Sequence, residues 1–310
     1  MRYPSNSPML AMSQKIPFEE LRYPTLASVK MDGLRCLIYD GQLFTRNLKL
    51  HPNQKLQEYF KEAMRKSKKD ELVFDGELWD ETLPFCETAG ICRSFTAEIG
   101  ENLAFHVFDM LPLRVYDHGA GGNPLRDRRD AYYEECAGLA NVRCVAQMPI
   151  HDAETLKGMF EQYVQRGHEG LICRDPRSYY KHGRCQPTKP FMVKFKATET
   201  HDAQIIGIKP ARKLKEGVAR TSDLMGHLKR VHTQDSYEAD DKLGSFQVAW
   251  NELEFSVGPG RGLDDHEKRK IWKNKEAYIG KWIEFESLSV GVKDVPRMGK
   301  FVKFRFDKED

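Results

Sequence analysis

The sequence lacks the patterns that mark several classes of protein. Its 310 residues contain no Cys-x-x-Cys pair, and the odd number of cysteines, seven, argues against both a zinc ribbon and a disulfide framework. Residues 1–14 lack the apolar core of a signal peptide. No apolar run is long enough to cross a membrane, and there is no internal repeat or low-complexity tract. We therefore expect a cytoplasmic protein with reduced thiols.

Size and composition leave room for one large domain or two modest ones. Hydrophobic residues make up 40% of the chain, which is enough for a core, and 31% of the residues are charged. The net charge of +3 gives only a weak preference for polyanionic partners.

Local patterns predict how the chain is organised. Residues before Leu21 are expected to form a loose lead-in, and Asn53 is expected to cap a helix that runs to about Lys68. Composition changes near residues 198–201, and several short strands with one helix follow. This change predicts domains at 1–199 and 200–310, the second being a small OB-fold β-barrel. The highly charged stretch 212–242 is expected to be a long loop or insertion between its strands.

A lysine that stands between an apolar run and an Asp-Gly turn is the central feature. Ser28 and Val29 end the run, Lys30 follows them, and Asp32 and Arg35 come next. An amine must be neutral to attack, so a nucleophilic lysine needs a lowered pKa, which burial or neighbouring cations can produce. Arg35 would be such a cation, and Asp32 could orient the amine or a metal. The stretch alone also fits a surface lysine before an ordinary turn.

Carboxylates recur at positions that suit a charged ligand. Period-two alternation places Asp75 and Glu77 on one face of an apolar strand, which is costly unless they meet a ligand or cations. Glu169 stands at the mouth of a buried strand. Magnesium takes one or two carboxylates together with phosphate oxygens, so Glu169 suits that ion.

Cations and an aromatic side chain complete the set. Alternation puts Lys194 and Lys196 on one strand face, where their mutual repulsion favours an anion such as the phosphates of ATP. Arg46 is a candidate phosphate contact, because an arginine fork matches phosphate oxygens. Phe108 could stack on a purine. Taken singly, these residues also fit an amphipathic surface strand, a solvated arginine and a core phenylalanine.

In this order, the motifs resemble those of the covalent nucleotidyltransferases: ATP-dependent DNA ligases, RNA ligases and messenger-RNA capping enzymes. The stretches that carry the resemblance are Lys-x-Asp-Gly-x-Arg at 30–35, Thr-Arg-Asn at 45–47, Asp-Gly-Glu at 75–77, Phe-Asp at 108–109, Glu-Gly-Leu-Ile at 169–172, Tyr-x-x-Gly-Arg at 180–184, Lys-Phe-Lys at 194–196 and Arg-x-Asp-Lys at 305–308. The Tyr-x-x-Gly-Arg stretch favours the DNA ligases, and the overall resemblance is greatest to the small two-domain ligases of bacteriophages.

The resemblance implies a fold and a reaction. The fold is α+β: an ATP-grasp-like nucleotidyltransferase domain of antiparallel sheets and helices, followed by the OB-fold barrel. Lys30 would carry AMP from ATP to the 5′-phosphate of a nick in double-stranded DNA, with Lys194 and Lys196 at the α-phosphate. Mg2+ would bind Glu169 and Glu77, and Glu77 could instead hold the ribose.

The resemblance extends these expectations to the C-terminus. Arg297 and Lys303 lie in the last motif, which would orient pyrophosphate, and a hinge near 199–202 would let the barrel swing towards the duplex. The insertion at 212–242 would grip DNA phosphates. The enzyme would be a monomer, encoded by a phage or virus and acting in the host cytoplasm.

One departure and three alternatives accompany the resemblance. Many DNA ligases carry a glutamate, which reads the adenine amino group, where this chain has Ser28, so backbone carbonyls could read it here. A capping guanylyltransferase would use GTP, and RNA ligases often lack an OB barrel. A non-catalytic OB-fold nucleic-acid-binding protein is a further alternative. An NAD-dependent ligase would bring a four-cysteine zinc site, which this sequence lacks.

Overall fold

The computed structural model describes residues 2–12, 16–119, 122–218, 220–222, 228–230, 234–260, 262–290 and 295–308. The chain divides into two compact units, Met1–Ala197 and Thr198–Asp310. Among the described residues, no helix is long and apolar enough to span a bilayer.

The first unit is built on two sheets. One is antiparallel throughout and contains, in spatial order, β11 (Met192–Lys196), β9 (Gly170–Arg174), β2 (Thr25–Val29) and β8 (Met148–Ile150). The other contains β4 (Gln42–Thr45), β3 (Leu34–Tyr39), β5 (Leu72–Trp79), β6 (Ala104–Pro112) and β7 (Val142–Cys144), and only its β6–β7 pair is parallel. A short parallel pair joins β1 (Met9–Leu10) to β10 (Gly183–Arg184).

Helices flank these sheets. They are α1 (Gln54–Tyr59), α2 (Lys61–Lys69), α3 (Phe85–Arg93), α4 (Leu113–His118), α5 (Leu125–Cys136) and α6 (Ala153–Gln165). Alternation along β3 sends Leu37 and Tyr39 into a core that joins both sheets, and Cys36 and Ile38 into a second core against α1, α2 and α5.

The predicted cap at Asn53 is present, but the helix that follows it is interrupted. The Asn53 side chain accepts hydrogen bonds from the backbone amides of Lys55 and Leu56, at 3.0 and 3.3 Å. At Phe60 the backbone leaves the helical region (φ −105°, ψ 19°), so α1 and α2 are separate helices. The Phe60 side chain is fully buried in the second core.

The prediction of a loose lead-in before Leu21 is wrong. Met9 and Met12 are among the largest fully buried side chains and belong to the core between the sheets. Met9 also starts β1, and the amide of Met12 donates to the carbonyl of Met192 at 2.8 Å. These methionines tie residues 9–12 to the core, a tertiary contact that the local sequence does not reveal.

The second unit is a five-stranded antiparallel sheet whose edges meet. Its spatial order is β16 (Leu253–Val257), β15 (Tyr237–Trp250), β12 (Glu199–Leu214), β17 (Trp282–Val290) and β18 (Pro296–Phe304). A parallel bridge between Gly258 and Lys300 links the two edge strands, with hydrogen bonds of 2.9 Å from Gly258 to Gly299 and from Phe301 to Gly258. Helix α7 (Asp265–Lys273) starts at a capping box.

The stretch 212–242 was predicted to be a long loop or an insertion between strands, and where the structure describes it, it contains paired strands inserted between β12 and β15 rather than a loop. β12 continues to Leu214 and pairs with the start of β15, with Lys213 opposite Glu238 and their charged groups 3.3 Å apart. β13 (Arg220–Ser222) and β14 (Leu228–Arg230) form another antiparallel pair. A cross-strand charge pair such as the one between Lys213 and Glu238 supports strand pairing without an apolar pattern, which explains why composition indicated a loop. Residues 219, 223–227 and 231–233 lie outside the described part.

Candidate active site

A cavity of about 780 Å³ lies within the first unit. Its lining comes from β2, β9 and β11 of one sheet and from β3, β5 and β6 of the other. The lining residues that matter below are Ser28, Val29, Lys30, Arg35, Arg46, Glu77, Phe108, Ile172, Arg174, Met192, Lys194 and Lys196.

Strand register arranges the first sheet's contribution in three rows. Arg174 and Met192 form the deepest row, and Ser28, Ile172 and Lys194 form the next one. The third row is the mouth, where Lys30 and Lys196 flank Gly170, and the amide of Lys30 donates to the carbonyl of Gly170 at 2.9 Å. The deepest row is at most 3% exposed, whereas the two lysine side chains at the mouth are 20% and 26% exposed.

Gly170 lets β11 approach β9 closely at the mouth. Its φ of +144° is in a region that residues with a side chain rarely adopt, and a Cβ there would lie 2.0 Å from the carbonyl oxygen of Phe195. The position therefore requires glycine, because a side chain would push apart β9, which directly follows Glu169, and β11, which carries Lys196.

A single carboxylate joins the two mouth lysines. Glu169 accepts a hydrogen bond from Lys30 on one oxygen and from Lys196 on the other. One carboxylate therefore holds two ammonium groups, and the mouth keeps an excess of positive charge. Such a site favours an anionic ligand.

Lys194 adds to this cationic region. Burial lowers the pKa of Lys194, and the neighbouring Lys196, Arg184, Lys30 and Arg46 lower it further. A ligand with several negative charges would relieve this repulsion.

The opposite wall is built around a buried ion pair. Arg35 donates to both oxygens of Asp75, each at 2.6 Å, and Asp75 is fully buried. The hydroxyl of Tyr180 donates to the same carboxylate at 2.5 Å. The Arg35 guanidinium lies 4.4 Å from the centre of the Phe108 ring, so the pair orients Arg35 across the cavity wall.

Glu77 is the carboxylate of β5 that lines the cavity. Burial raises the pKa of Glu77 to about 7, against the opposing effect of Arg35 and Lys30. The negative charges of Asp75 and Glu169 contribute to the rise. Glu77 thus titrates near neutral pH and would gain from a cation beside it.

Comparison with known proteins settles the family. Residues 8–196 match the ATP dependent DNA ligase domain, and residues 238–305 match the DNA ligase OB-like domain. This chain belongs to the ATP-dependent DNA ligases. The prediction of a phosphodiester-forming DNA ligase that uses ATP through a covalent AMP intermediate is therefore confirmed, as is the nucleotidyltransferase domain followed by an OB-like domain.

Solved structures show the same fold in other ligases. A Lig E DNA ligase is 21% identical, with a TM-score of 0.65 over 97% of this chain and 99% of that one. The bacteriophage T7 ATP-dependent DNA ligase in complex with ATP is 17% identical, with a TM-score of 0.52 over 97% and 99%. The Chlorella virus DNA ligase-adenylate is 23% identical, with a TM-score of 0.51 over 98% and 99%. A search of curated proteins finds no match.

The structure of the ligase brings most of the predicted site residues together. Those that line the cavity are Ser28, Val29, Lys30, Arg35, Arg46, Glu77, Phe108, Lys194 and Lys196, and Glu169 contacts two of them. Asp32 is not among the lining residues, although it follows Lys30 by two positions. Arg297 and Lys303 belong to β18 in the second unit, where Lys303 lies 3.3 Å from Glu284.

Other residues at the site were not among the predicted site residues. Asp75 was expected to meet a ligand or cations, and it meets the cation Arg35, which it holds together with Tyr180 of the Tyr-x-x-Gly-Arg stretch. Arg174 and Met192, which form the deep row, were not predicted. Alternation along β9, which sends Ile172 and Arg174 to one face, could have revealed Arg174. No local signal links Tyr180 to Asp75, because 105 positions separate them.

The ligase has a donor set that fits magnesium. In the described part of the chain, no three His, Cys, Asp or Glu side chains cluster as a closed metal cage. Glu77 and Glu169 nevertheless act on the same region, since the charge of Glu169 contributes to the raised pKa of Glu77. Mg2+ takes one or two carboxylates and completes its shell with phosphate oxygens and water, so the chemistry of these two side chains is compatible with that ion.

Proposed function

We propose that the ligase seals nicks in duplex DNA through AMP carried on Lys30. The observation that carries this proposal is the mouth row, where Lys30 stands beside Gly170 at the entrance of a cationic cavity. The Lys30 amine attacks the α-phosphorus of ATP and loses a proton, while the bond from that phosphorus to the leaving pyrophosphate breaks. AMP then moves to the 5′-phosphate at the nick, and the 3′-hydroxyl displaces it to form the phosphodiester bond.

The contact between Lys30 and Glu169 must open for this attack. In this contact the Lys30 nitrogen donates to the Glu169 carboxylate, whereas the reaction needs that nitrogen turned to the α-phosphorus of ATP. Glu169 and Glu77 would hold Mg2+, which when bound would supply positive charge against the triphosphate, and Glu169 would give up its contact with Lys30. Lys194 and Lys196 would then stabilise charge on the α-phosphate.

The remaining predicted residues are assigned to the phosphates of ATP, to the leaving pyrophosphate and to the lysine amine. Arg46 is exposed at the rim of the cavity and would contact phosphate. We assign Arg297 and Lys303 of the second unit to pyrophosphate, and Asp32 to orienting the reacting amine. Each assignment predicts a defect in adenylation when the side chain is removed.

Adenine would be held by Phe108 and read by the backbone of β2. Arg35 lies over one face of the Phe108 ring, so the purine would stack on the other face. The amide of Lys30 points towards β9, so the pleat turns the backbone groups of Val29 to the other edge of β2. On that edge, β8 pairs with β2 only as far as Ala27. The Val29 carbonyl could accept a hydrogen bond from the adenine amino group. Ser28 has no carboxylate with which to accept it.

The second unit would supply the grip on DNA. We propose that residues 1–199 form the adenylation domain and 200–310 the OB domain. In the stretch 212–242, Lys213 and Lys215 would bind DNA phosphates. Lys229 and Arg230, whose side chains lie outside the described part, would bind them as well. The hinge predicted at 199–202 falls in β12, where these residues pair with β17. If replacing the four cationic residues weakens binding to nicked DNA and reduces its dependence on salt concentration, the proposed phosphate contacts are supported.

We also propose a monomer that acts in a reducing cytoplasm, the host's if the gene is viral. All seven cysteines are free thiols, which suits such a compartment. Sedimentation with and without nicked DNA would test the monomer.

Intact mass spectrometry tests the central assignment. The ligase is incubated with Mg2+ and ATP, or with Mg2+ and GTP, after removal of AMP carried from expression. We expect an AMP adduct from ATP, no adduct in Lys30→Ala, and loss of the adduct with sealing when nicked duplex DNA is added. Adduct formation by Lys30→Ala would refute the assignment of Lys30, and a GMP adduct would refute the proposed adenine site.

A further inference from the structure

We infer that Arg128, on α5, is a positioning residue for the wall that receives adenine. The inference rests on the proposed function, because it takes Phe108 as the stacking surface. Arg128 itself is 4% exposed and is not among the residues that line the cavity. Its influence would pass through two side chains, Asp109 and Arg174.

Asp109 is the centre of a buried charge cluster. Arg128 donates to both of its carboxylate oxygens, Nε at 2.7 Å and Nη2 at 3.0 Å. Arg174 donates to the Oδ2 atom of the same carboxylate. The cluster contains two guanidinium groups for one carboxylate, and Arg128 uses its remaining donor on the carbonyls of Asn123 and Ser178. Every member is nearly inaccessible to water, so each hydrogen bond constrains the others.

The cluster holds the peptide that carries Phe108. Arg174 donates from Nη1 to the carbonyl oxygen of Phe108 at 2.9 Å, while its other terminal nitrogen is bound to Asp109. Gln147 donates to the same carbonyl at 2.7 Å. The backbone of Phe108 is therefore fixed by a guanidinium whose own position depends on Asp109.

The Arg128 fork determines which hydrogen bonds Arg174 makes to Asp109 and to the Phe108 carbonyl. While Arg128 donates to both oxygens of Asp109, Arg174 binds only Oδ2 and keeps Nη1 on the Phe108 carbonyl. Without the Arg128 fork, Oδ1 keeps only the amide of Met110, at 3.0 Å, and Arg174 can turn its buried Nε atom, which has no partner in the described part of the chain, onto the carboxylate to form a bidentate pair. This turn of the guanidinium would draw Nη1 away from the Phe108 carbonyl, and the ring would lose its fixed position in the cavity. Charge balance survives this change, because Asp109 keeps one guanidinium partner.

The predicted defect concerns adenine and spares phosphate. Adenosine probes the base subsite and tripolyphosphate probes the cationic subsite, and calorimetric titration measures both without any catalysis. For Arg128→Met we expect adenosine to bind on the order of tenfold more weakly, within the range that base stacking contributes. Tripolyphosphate affinity should stay unchanged, and the KM for ATP in adenylation should rise with little change in kcat. Arg126→Met, an exposed neighbour on α5, is the control.

Two further variants keep the inference testable if Arg128→Met folds poorly. Arg128→Lys retains the charge but cannot form the fork, so it should show the same selective loss. Combined with Phe108→Leu, Arg128→Lys should weaken adenosine binding no further, because both changes act through one ring.

Equal loss of both ligands, loss of neither, or additive losses in the double variant would overturn the role of Arg128. These outcomes do not depend on a Lys30 adduct. A wild type that binds adenosine but forms no adduct would refute the proposed function alone.

Discussion

Replacing Glu77 by glutamine tests the electrostatics of the cavity most directly. Burial raises the pKa of Glu77 from 4.5 to about 7. The folded state therefore binds the proton more tightly than the unfolded state, so the contribution of Glu77 to stability is complete below pH 4.5 and is lost as the pH rises through 7. Integrating the two titrations between pH 5 and pH 8, at about 1.4 kcal/mol per pKa unit, gives about 2.5 kcal/mol. Glutamine does not titrate, so the stability of the Glu77→Gln variant does not fall in this way as the pH rises.

The assay compares wild type and Glu77→Gln by urea unfolding at both pH values. Amide hydrogen exchange of β5 identifies the transition in which the first unit unfolds. We expect the variant to gain about 2.5 kcal/mol of unfolding free energy relative to wild type between pH 5 and pH 8, while losing adenylation activity. Glu87→Gln, at an exposed position, should show no such change. If the difference in unfolding free energy between Glu77→Gln and wild type is the same at both pH values, the carboxylate is not desolvated as the structure indicates.

Three further substitutions have defined outcomes. Gly170→Ala should unfold the first unit or abolish adenylation, because its Cβ would meet the Phe195 carbonyl. Gly158→Ala, at an exposed position of α6, should instead stabilise the folded protein by about 0.5–1 kcal/mol. Equal melting temperatures and equal AMP-adduct yields for the two variants would contradict this prediction. Asp109→Asn leaves two buried guanidinium groups without a counter-charge, so the unfolding free energy measured in urea at pH 7 should fall by about 3–5 kcal/mol. A decrease of less than about 1 kcal/mol would argue against the buried ion cluster. Asp264→Ala removes the capping box of α7 and should cost about 1 kcal/mol, with faster exchange of the first α7 amides; unchanged exchange would count against the cap.

Alternation along single strands predicted much of the site. The shared face of Lys194 and Lys196 follows from the pleat of one strand, and both residues line the cavity. The same rule placed Asp75 beside Glu77, but it could not tell their roles apart. Asp75 is taken by Arg35, which is 40 positions away, and by Tyr180, so only Glu77 lines the cavity.

Errors arose where tertiary contacts outweighed local composition. The N-terminal segment has three prolines and little periodicity, yet Met9 and Met12 fill the core between the sheets. The charged stretch 212–242 has no apolar pattern, yet it pairs as strands because opposite charges face each other from strand to strand.

The order of the motifs, the faces of the strands and the chemistry of the side chains were present in the sequence, because these depend on the backbone within a few residues. Tertiary structure decided which strands lie side by side, and hence that Lys30 meets Glu169 across 139 positions of chain. It also decided that Gly170 packs against the backbone of Phe195 and that Asp109, next to Phe108 in the chain, binds two arginines. Such contacts depend on the register between distant strands and on burial, which arise only when the whole unit packs.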